Sequence, residues 1–199
     1  MAHLSPEKIV AALAERGWCV AADFLSPAET AALRRECLAL HDHGAFHRAG
    51  VGRGAASIRA EIRGDHVLWL DESNAGPAQA MALAKLEHLR QAVNQQLFLG
   101  LFDVELHFAV YPPGAGYKRH LDRFQDDDRR TLTVILYLND HWQPADGGML
   151  RFWPQQDEHA FDIEPHGGTL VTFLSDQFWH EVMPAQRQRI SLTGWFRRR

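Results

Sequence analysis

The chain has 199 residues, enough to bury a sizeable core, and its 46% hydrophobic and 23% charged residues are typical of a globular protein. The formal net charge of −4 excludes the strongly basic composition typical of nucleic-acid-binding domains, so we expect no nucleic-acid partner. The first residues lack the apolar run of a signal peptide or membrane span, and the two cysteines lie in no metal or redox spacing, so we expect a cytoplasmic protein without a membrane contact.

The first half of the chain carries the signals of helices. Ser5 and Pro6 are a typical N-cap and first position of a helix, and a second helix begins at Ser26, which forms the sequence pattern of a capping box with Glu29. A third, longer helix is predicted over residues 77–98, where Ala, Leu and Gln dominate. A short strand is expected between the first two helices.

Residues 47–63 follow neither the helical nor the strand period, and they are rich in Gly, Ala and Arg. A segment of this kind inside a compact domain is typical either of a functional lid or of a disordered loop. We expect a single domain over residues 1–199. In it, residues 1–100 form a helical support with this lid segment, and residues 101–199 form the core.

The second half of the chain has the pattern of short strands with β-branched and aromatic residues, bounded by Gly, Pro, Asp or Asn. Such a series predicts an α+β, β-rich fold, with a sandwich or jelly roll packed against the helices. In residues 131–138 one face is entirely Leu and Val, whereas the other carries Thr131, Thr133, Ile135 and Tyr137. We predict that the first face enters the core and the second lines a pocket. The predicted strands cover residues 104–111, 131–138, 149–153, 169–174 and 189–196.

Three residues in this half have the side chains of a metal site. If His120 and Asp122 lie on a strand, their spacing directs both side chains to one face, and His180 supplies a second imidazole downstream. Two imidazoles and one carboxylate form the facial triad of non-haem Fe(II) oxygenases, which leaves positions open for a 2-oxo acid and dioxygen. The sequence therefore predicts an iron site of His120, Asp122 and His180.

A candidate anchor for the co-substrate follows the third ligand. 2-Oxoglutarate carries a second carboxylate, which a guanidinium can bind in a bidentate fork, and Arg189 begins the last predicted strand. The strand period places Thr193 and Trp195 on the same face as Arg189, and it places Tyr137 where its phenol could donate to the same carboxylate. Two other histidine patterns do not predict a metal site: the group His41, His43 and His47 does not converge on one point, and His107 is expected to be buried with its hydrogen bonds satisfied.

Six segments between about residue 62 and residue 196 carry a family pattern in order. They are "EIRGDHVLWL", "YPPGAGYKRHLD", "TLTVILYLNDHW", "DGGMLRFWP", "FDIEPHGGTLVTF" and "HEVMPAQRQRISLTGWF". With these segments the stretch resembles the catalytic domain of the Fe(II)- and 2-oxoglutarate-dependent prolyl 4-hydroxylases. It is especially similar to the oxygen-sensing branch, of which it looks like a bacterial homologue. The turn between Tyr111 and His120 is one residue shorter than in the animal enzymes.

The resemblance implies a double-stranded β-helix (a cupin-like jelly roll), the three iron ligands above, and a pocket for 2-oxoglutarate. In that pocket Arg189 and Tyr137 hold the far carboxylate, Tyr111 lines the wall and Thr193 lies near the iron-bound water, while Ile135 and Trp195 complete it. The segment 47–63 corresponds to the part of the family that closes over the substrate. Asp65 and Arg130 match a charged pair near the substrate groove.

The activity implied by the resemblance is hydroxylation of a prolyl residue at C4 in a protein substrate, with release of succinate and CO2. It requires Fe(II), 2-oxoglutarate and O2, with ascorbate to keep the iron reduced. For a bacterial protein of this type the resemblance suggests elongation factor Tu as the substrate, and we expect a monomer. Two alternatives stay open at this stage: a 2-oxoglutarate oxygenase acting on a free amino acid or small metabolite, and a non-catalytic jelly-roll protein that senses iron or 2-oxoglutarate.

Overall fold

The computed structural model describes residues 5–50, 59, 61–123, 129–155 and 159–199. The segment 47–63, predicted to be a lid or a disordered loop, lies largely outside these described residues. Its described ends belong to the wall of the main cavity, since Arg48, Ala49 and Arg63 line it.

The three predicted helices are present, and each begins with a proline at or next to its first position. The capping box is confirmed: the Glu29 N–H donates to Ser26 Oγ at 3.3 Å, and the Ser26 N–H donates to Glu29 Oε2 at 2.8 Å. No helix in the described ranges is both long and apolar enough to cross a membrane. The helices are α1 (Pro6–Arg16), α2 (Pro27–Asp42) and α3 (Pro77–Leu97).

Eleven described strands form two antiparallel sheets. The larger sheet has the order β1-β9-β6-β11-β4-β3-β2 and the smaller sheet has the order β5-β10-β7-β8. The five strands predicted in the second half are all present within a few residues of their expected bounds, whereas β2, β3, β5, β8 and β10 were not predicted. The strands are β1 (Trp18–Ala21), β2 (His47–Arg48), β3 (His66–Trp69), β4 (Leu101–Tyr111), β5 (Tyr117–His120), β6 (Arg130–Tyr137), β7 (Leu150–Trp153), β8 (Phe161–Ile163), β9 (Leu170–Leu174), β10 (Trp179–Val182) and β11 (Arg189–Arg198).

The two faces of the larger sheet bury different kinds of residue. Leu132, Val134 and Leu136 of β6 pack with the helices in one hydrophobic cluster, as predicted, and all three are almost fully buried. Ile135 and Tyr137 point the other way, into a second cluster between the two sheets. Because both sheets contribute to this second cluster, the molecule is a jelly roll with its helices packed outside the larger sheet. The space between the sheets contains the candidate site.

Candidate metal and co-substrate site

The smaller sheet positions the two candidate imidazoles. His120 is the last residue of β5 and His180 lies on β10, and the two residues are direct partners in the antiparallel ladder. Their ring centroids are therefore only 4.2 Å apart. Asp122 is not on a strand, because β5 ends at His120 and the chain bends. Our explanation by strand period was wrong for this pair, and the bend rather than the strand brings the carboxylate to the imidazoles.

Three ligand atoms converge in this place. His120 Nε2 is 3.6 Å from Asp122 Oδ1, and His180 Nε2 is 3.6 Å from Asp122 Oδ2. The three ligand atoms all lie within 4.8 Å of one another, and no other such cluster occurs in the part of the chain that the structure describes. Two imidazoles and one carboxylate on one side of a common point are the donor set of a facial triad, which suits Fe(II).

Backbone carbonyls fix both imidazoles in the orientation that a metal requires. The Nδ1–H of His120 donates to Lys118 O at 2.6 Å, and the Nδ1–H of His180 donates to Phe178 O at 3.1 Å. A ring that carries its proton on Nδ1 leaves the lone pair of Nε2 free to bind a metal. Both Nε2 atoms are the ones that face Asp122, so the protein selects the ligand atom at each histidine.

The charges at the site suit a divalent cation. Burial alone would raise the pKa of Asp122, but His180, His120 and the hydroxyl of Thr133 outweigh it and hold this pKa below the ordinary range of a carboxyl group. Thr133 Oγ1 donates to Asp122 Oδ2 at 2.8 Å. Burial, with His120 adding to it, lowers the pKa of His180 to about 4. At neutral pH the site therefore presents one carboxylate and, at His180, a neutral imidazole.

Tyr117 belongs to this site although it was not predicted. Its ring stacks on the ring of His120 with a centroid separation of 3.6 Å and an interplanar angle of 17°. Tyr117 also lines the cavity next to the triad. The only signal in the sequence was an aromatic residue three positions before His120, and that spacing has no special meaning until the strand is known.

A cavity of about 580 Å³ extends from the triad between the two sheets. Every second residue of β11 from Arg189 to Trp195 lines it, in agreement with the face that the strand period predicted. Tyr111 and Ile135 also line the cavity, whereas Tyr137 is buried beside it, with the Arg189 Cζ atom 5.0 Å from the centre of its ring. The lining residues of β11 are Arg189, Ser191, Thr193 and Trp195.

The end of the cavity at Arg189 has polar groups without partners. Arg189 is 1% exposed, and its Nε–H donates to Gly148 O at 2.9 Å. Arg189 Nη2 and the Tyr137 hydroxyl are both buried with no hydrogen-bond partner among the described residues, and none of the described carboxylates forms an ion pair with Arg189. A buried guanidinium without a counter-charge is costly. This end of the cavity therefore fits a carboxylate that the protein itself does not supply.

Two further features keep this end ready for an anion. Burial raises the pKa of Tyr137 to about 12, although Arg189 opposes the shift, so the phenol keeps its proton and can donate it. Gly148 has φ +66, and a Cβ there would lie 3.3 Å from Arg189 Cδ and 2.9 Å from the Ala185 Cβ. The positive φ and this crowding both favour glycine at the point where the chain passes the Arg189 side chain.

Asp65 and Arg130, the candidate substrate residues, lie in different surroundings. Asp65 is buried and holds Arg63 in a bidentate pair, with distances of 2.7 and 2.9 Å, beside a smaller cavity of about 410 Å³. Arg130 lines the main cavity, donates to Glu105 Oε1 at 2.8 Å and lies 3.4 Å above the Trp195 ring. Contact of either residue with a substrate stays a prediction.

His107 is buried as expected, at 1% exposure, but only one of its two ring nitrogens has a hydrogen-bond partner within the described ranges. Its Nδ1 atom has no hydrogen-bond partner among the described residues, so that part of the expectation was wrong. Burial, followed by the charge of Arg63, lowers the pKa of His107 to about 3. The ring lines the main cavity.

This buried, neutral His107 predicts a measurable acid sensitivity. Because the folded-state pKa lies below the unfolded value of 6.5, the unfolded chain binds the proton first, and stability is lost as the pH falls below 6.5 towards 3. We expect this residue alone to lower the free energy of unfolding by up to roughly 1.4 kcal/mol per pH unit in that window. Urea unfolding at pH 7 and pH 5.5 measures the effect. His107→Gln should show a shallower decline, and equal declines in the two proteins would contradict the assignment.

Comparison with known proteins places this geometry in a family. Residues 106–197 match the family described as the 2OG-Fe(II) oxygenase superfamily. A prolyl-4-hydroxylase from Pseudomonas putida, known from a crystal structure, is 48% identical, with a TM-score of 0.89 over 98% of this chain and 100% of that one. A prolyl hydroxylase from Trichoplax adhaerens, solved with a peptide fragment of the hypoxia inducible factor oxygen degradation domain, is 28% identical, with a TM-score of 0.87 over 96% of this chain and 88% of that one.

A curated human relative, Egl nine homolog 1, is 32% identical over 97% of this chain, and the chain spans about half the length of the Egl nine homolog 1 proteins that it matches. The superfamily description names Fe(II) and 2-oxoglutarate. The donor set of the triad fits Fe(II). The two buried polar atoms without hydrogen-bond partners in the described part of the chain, at Arg189 and Tyr137, fit the carboxylate of 2-oxoglutarate. From its sequence and its jelly-roll structure, the chain belongs to the 2-oxoglutarate- and Fe(II)-dependent oxygenases and, within them, to the prolyl hydroxylases.

Proposed function

We propose that this protein is a dioxygenase that hydroxylates a prolyl residue of a protein substrate at C4. In the overall reaction, O2, 2-oxoglutarate and the prolyl C–H group give hydroxyproline, succinate and CO2. One observation carries the proposal: a His-Asp-His cluster and a buried guanidinium without a counter-charge line the same cavity. A protein that only binds iron has no need of the second feature.

His120, Asp122 and His180 would hold the metal. Fe(II), when bound there, supplies the redox chemistry that couples oxidative decarboxylation of 2-oxoglutarate to insertion of one oxygen atom into a C–H bond. The carboxylate of Asp122 offsets part of the charge of the cation, and the hydroxyl of Thr133 keeps that carboxylate in place. The stacked ring of Tyr117 restrains His120.

The other walls of the cavity bind and orient the two organic substrates. Arg189 and Tyr137 would bind the far carboxylate of 2-oxoglutarate, which supplies the missing charge and accepts two hydrogen bonds. Tyr111 closes the same end, and Ile135 presents an apolar surface that keeps water from the co-substrate chain. Thr193 lines the cavity four residues after Arg189 on β11, and its hydroxyl would contact a polar group close to the metal.

A polypeptide is the substrate class that the cavity mouth favours. Trp69 lies at this mouth with 44% of its surface exposed, and the charged side chain of Arg130 lines the cavity above Trp195. Tryptophan and arginine side chains are enriched at protein-binding surfaces. The proposal is further supported by the Trichoplax adhaerens relative, which was solved with a peptide. The alternatives of a free amino acid and of a pure sensor leave this exposed aromatic surface without a use.

Within this class we propose elongation factor Tu as the protein substrate and the cytoplasm as the compartment. Cys19 and Cys37 are buried free thiols, which suits a reducing compartment. Ascorbate would serve to keep the iron reduced.

Mass spectrometry tests this function directly. Purified elongation factor Tu is incubated with the enzyme, Fe(II), 2-oxoglutarate and ascorbate, and its peptides are searched for one added oxygen atom on a proline. We expect a single modified proline, with stoichiometric succinate. Comparison of the proteome with and without the gene extends the search to other proteins. Succinate release that no protein or peptide stimulates would contradict prolyl hydroxylation, while iron and 2-oxoglutarate binding would still stand.

A further inference from the structure

Three aromatic rings form a wall of the cavity at a distance from Arg189. His107 of β4 lies between Trp69 of β3 and Trp195 of β11, with ring centroids 4.7 Å and 5.6 Å away. Trp69 is the register partner of His107 on β3, and Thr193 is its partner on β11. We call these three residues, Trp69, His107 and Trp195, the aromatic wall. All three line the main cavity, and none has a role in binding the metal.

Arg63 determines which nitrogen of His107 carries the proton. Arg63 Nη2 is 3.4 Å from His107 Nε2, and a guanidinium can only donate, so Nε2 must be the acceptor. The neutral ring then has its hydrogen on Nδ1. Asp65 holds Arg63 in place through its bidentate pair. This gives Asp65 a positioning role: it is buried, and it acts on the cavity through Arg63.

The aromatic wall therefore presents two N–H donors that have no acceptor. His107 Nδ1 and Trp195 Nε1 are both buried and lack a hydrogen-bond partner among the described residues. A buried donor without an acceptor costs free energy, so a binding partner is expected to supply one. Both atoms belong to residues that line the cavity.

The aromatic wall and the anchor lie on different rows of the larger sheet. His107 is paired with Thr193, four residues from Arg189 along β11, and a strand rises about 3.3 Å per residue. The backbone of the wall is thus roughly 13 Å along the sheet from the backbone of the anchor row. The wall includes Trp69, which is partly exposed, so a molecule larger than the co-substrate can contact this side of the cavity.

The chemistry of proline indicates what kind of acceptor this molecule offers. A prolyl residue has no N–H group, so the polar groups that its main chain presents are carbonyl oxygens. A site that binds the main chain of the prolyl residue itself by a hydrogen bond must therefore offer a donor, and the aromatic wall offers two donors on an apolar surface. An acidic residue at the same place would repel the carbonyl oxygens instead.

We propose that the Nδ1–H of His107, with the Nε1–H of Trp195, binds a main-chain carbonyl oxygen of the protein substrate beside the target proline. This inference rests on the proposed function, because it names the contact by which that site recognises a polypeptide. His107 is then a substrate-contact residue, Arg63 and Asp65 are positioning residues, and the tautomer of one histidine contributes to specificity.

A matched pair of variants tests the contact. An asparagine at position 107 places its amide near the former Nδ1 and can still donate there, whereas a glutamine places its amide near the former Nε2. We expect His107→Gln to raise the KM for a prolyl peptide of elongation factor Tu about tenfold, in the range set by loss of one partner from a buried hydrogen bond. His107→Asn should stay closer to wild type. The KM for 2-oxoglutarate should not follow this pattern, and His88→Gln, on the exposed face of α3, is the control.

Nitrogen-15 NMR of histidine-labelled protein tests the tautomer without any substrate. We expect His107 to be neutral, with its proton on Nδ1, and Arg63→Met to change the ratio of the two tautomers. A proton on Nε2 would overturn the inference, as would equal peptide KM values for the Asn and Gln variants and wild type. If wild type makes succinate but converts no peptide, the proposed function fails, and the NMR result still decides whether the donor is present.

Discussion

Replacing Asp122 with asparagine is expected to lower the affinity for Fe(II) at least about 100-fold and to abolish detectable succinate formation. Loss of a group that only supports a metal ligand typically costs 10- to 100-fold, and loss of the ligand itself should cost more. Asparagine keeps the shape of the side chain but removes the one negative charge between the two imidazoles. Titration with Fe(II) under anaerobic conditions, followed by an assay of uncoupled 2-oxoglutarate turnover, measures both quantities.

Two further variants make this result specific. Thr133→Val removes the hydroxyl that donates to Asp122 and should produce the smaller loss, about 10- to 100-fold in affinity. Asp162→Asn changes a half-exposed aspartate that pairs with Arg151 on the smaller sheet, so its metal affinity should equal that of wild type. Full succinate production by the Asp122 variant would show that the metal lies elsewhere.

Replacing Arg189 with alanine is expected to raise the 2-oxoglutarate concentration needed for half-maximal turnover by about 30-fold to several thousand-fold. This range corresponds to about 2–5 kcal/mol, the usual cost of removing one partner from a buried charge pair. The effect is large because Arg189 is buried and none of the described carboxylates offsets its charge, so the bound diacid supplies the missing partner. Uncoupled turnover at increasing 2-oxoglutarate concentrations gives the value.

Conservative and neighbouring changes distinguish charge from geometry at this anchor. Arg189→Lys keeps the charge but loses the planar fork of the guanidinium. The 2-oxoglutarate concentration that it needs for half-maximal turnover should therefore lie between the values of wild type and the alanine variant. Arg187→Ala removes a partly exposed arginine two residues earlier, which pairs with Asp140 and Asp146, and should leave the requirement unchanged. An unchanged requirement in Arg189→Ala would mean that another residue binds the far carboxylate.

The larger sheet could be predicted because its strands carry the signal in their own residues. The alternation in β6 between Leu or Val and more polar residues agrees with the two hydrophobic clusters that it separates. The smaller sheet could not be predicted in the same way. β5 reads "YKRH" and β10 reads "WHEV", so each is four residues long and carries charges. Such strands are stable because of the neighbours with which they pair, and pairing across sixty residues leaves no local pattern.

The candidate site was predictable in its residue types but not in its arrangement. The two imidazoles, the aspartate and Arg189 identified the chemistry by their side-chain types, because these groups suit Fe(II) and a dicarboxylate. The bend that carries Asp122 and the stacking of Tyr117 on His120 depend on where β5 ends. The tautomer of His107 depends on Arg63, 44 residues away in the chain, so no local pattern reports it.

The location of the anchor and the triad on different sheets has a mechanical consequence. Arg189 extends from the larger sheet, whereas His120 and His180 belong to the smaller one. A dicarboxylate bound at both ends would connect the two sheets, and the separation of the sheets would then determine which length of carbon chain fits. Diacids one carbon shorter or longer would then bridge the layers poorly, so discrimination among metabolic diacids would arise from the spacing of the framework as a whole.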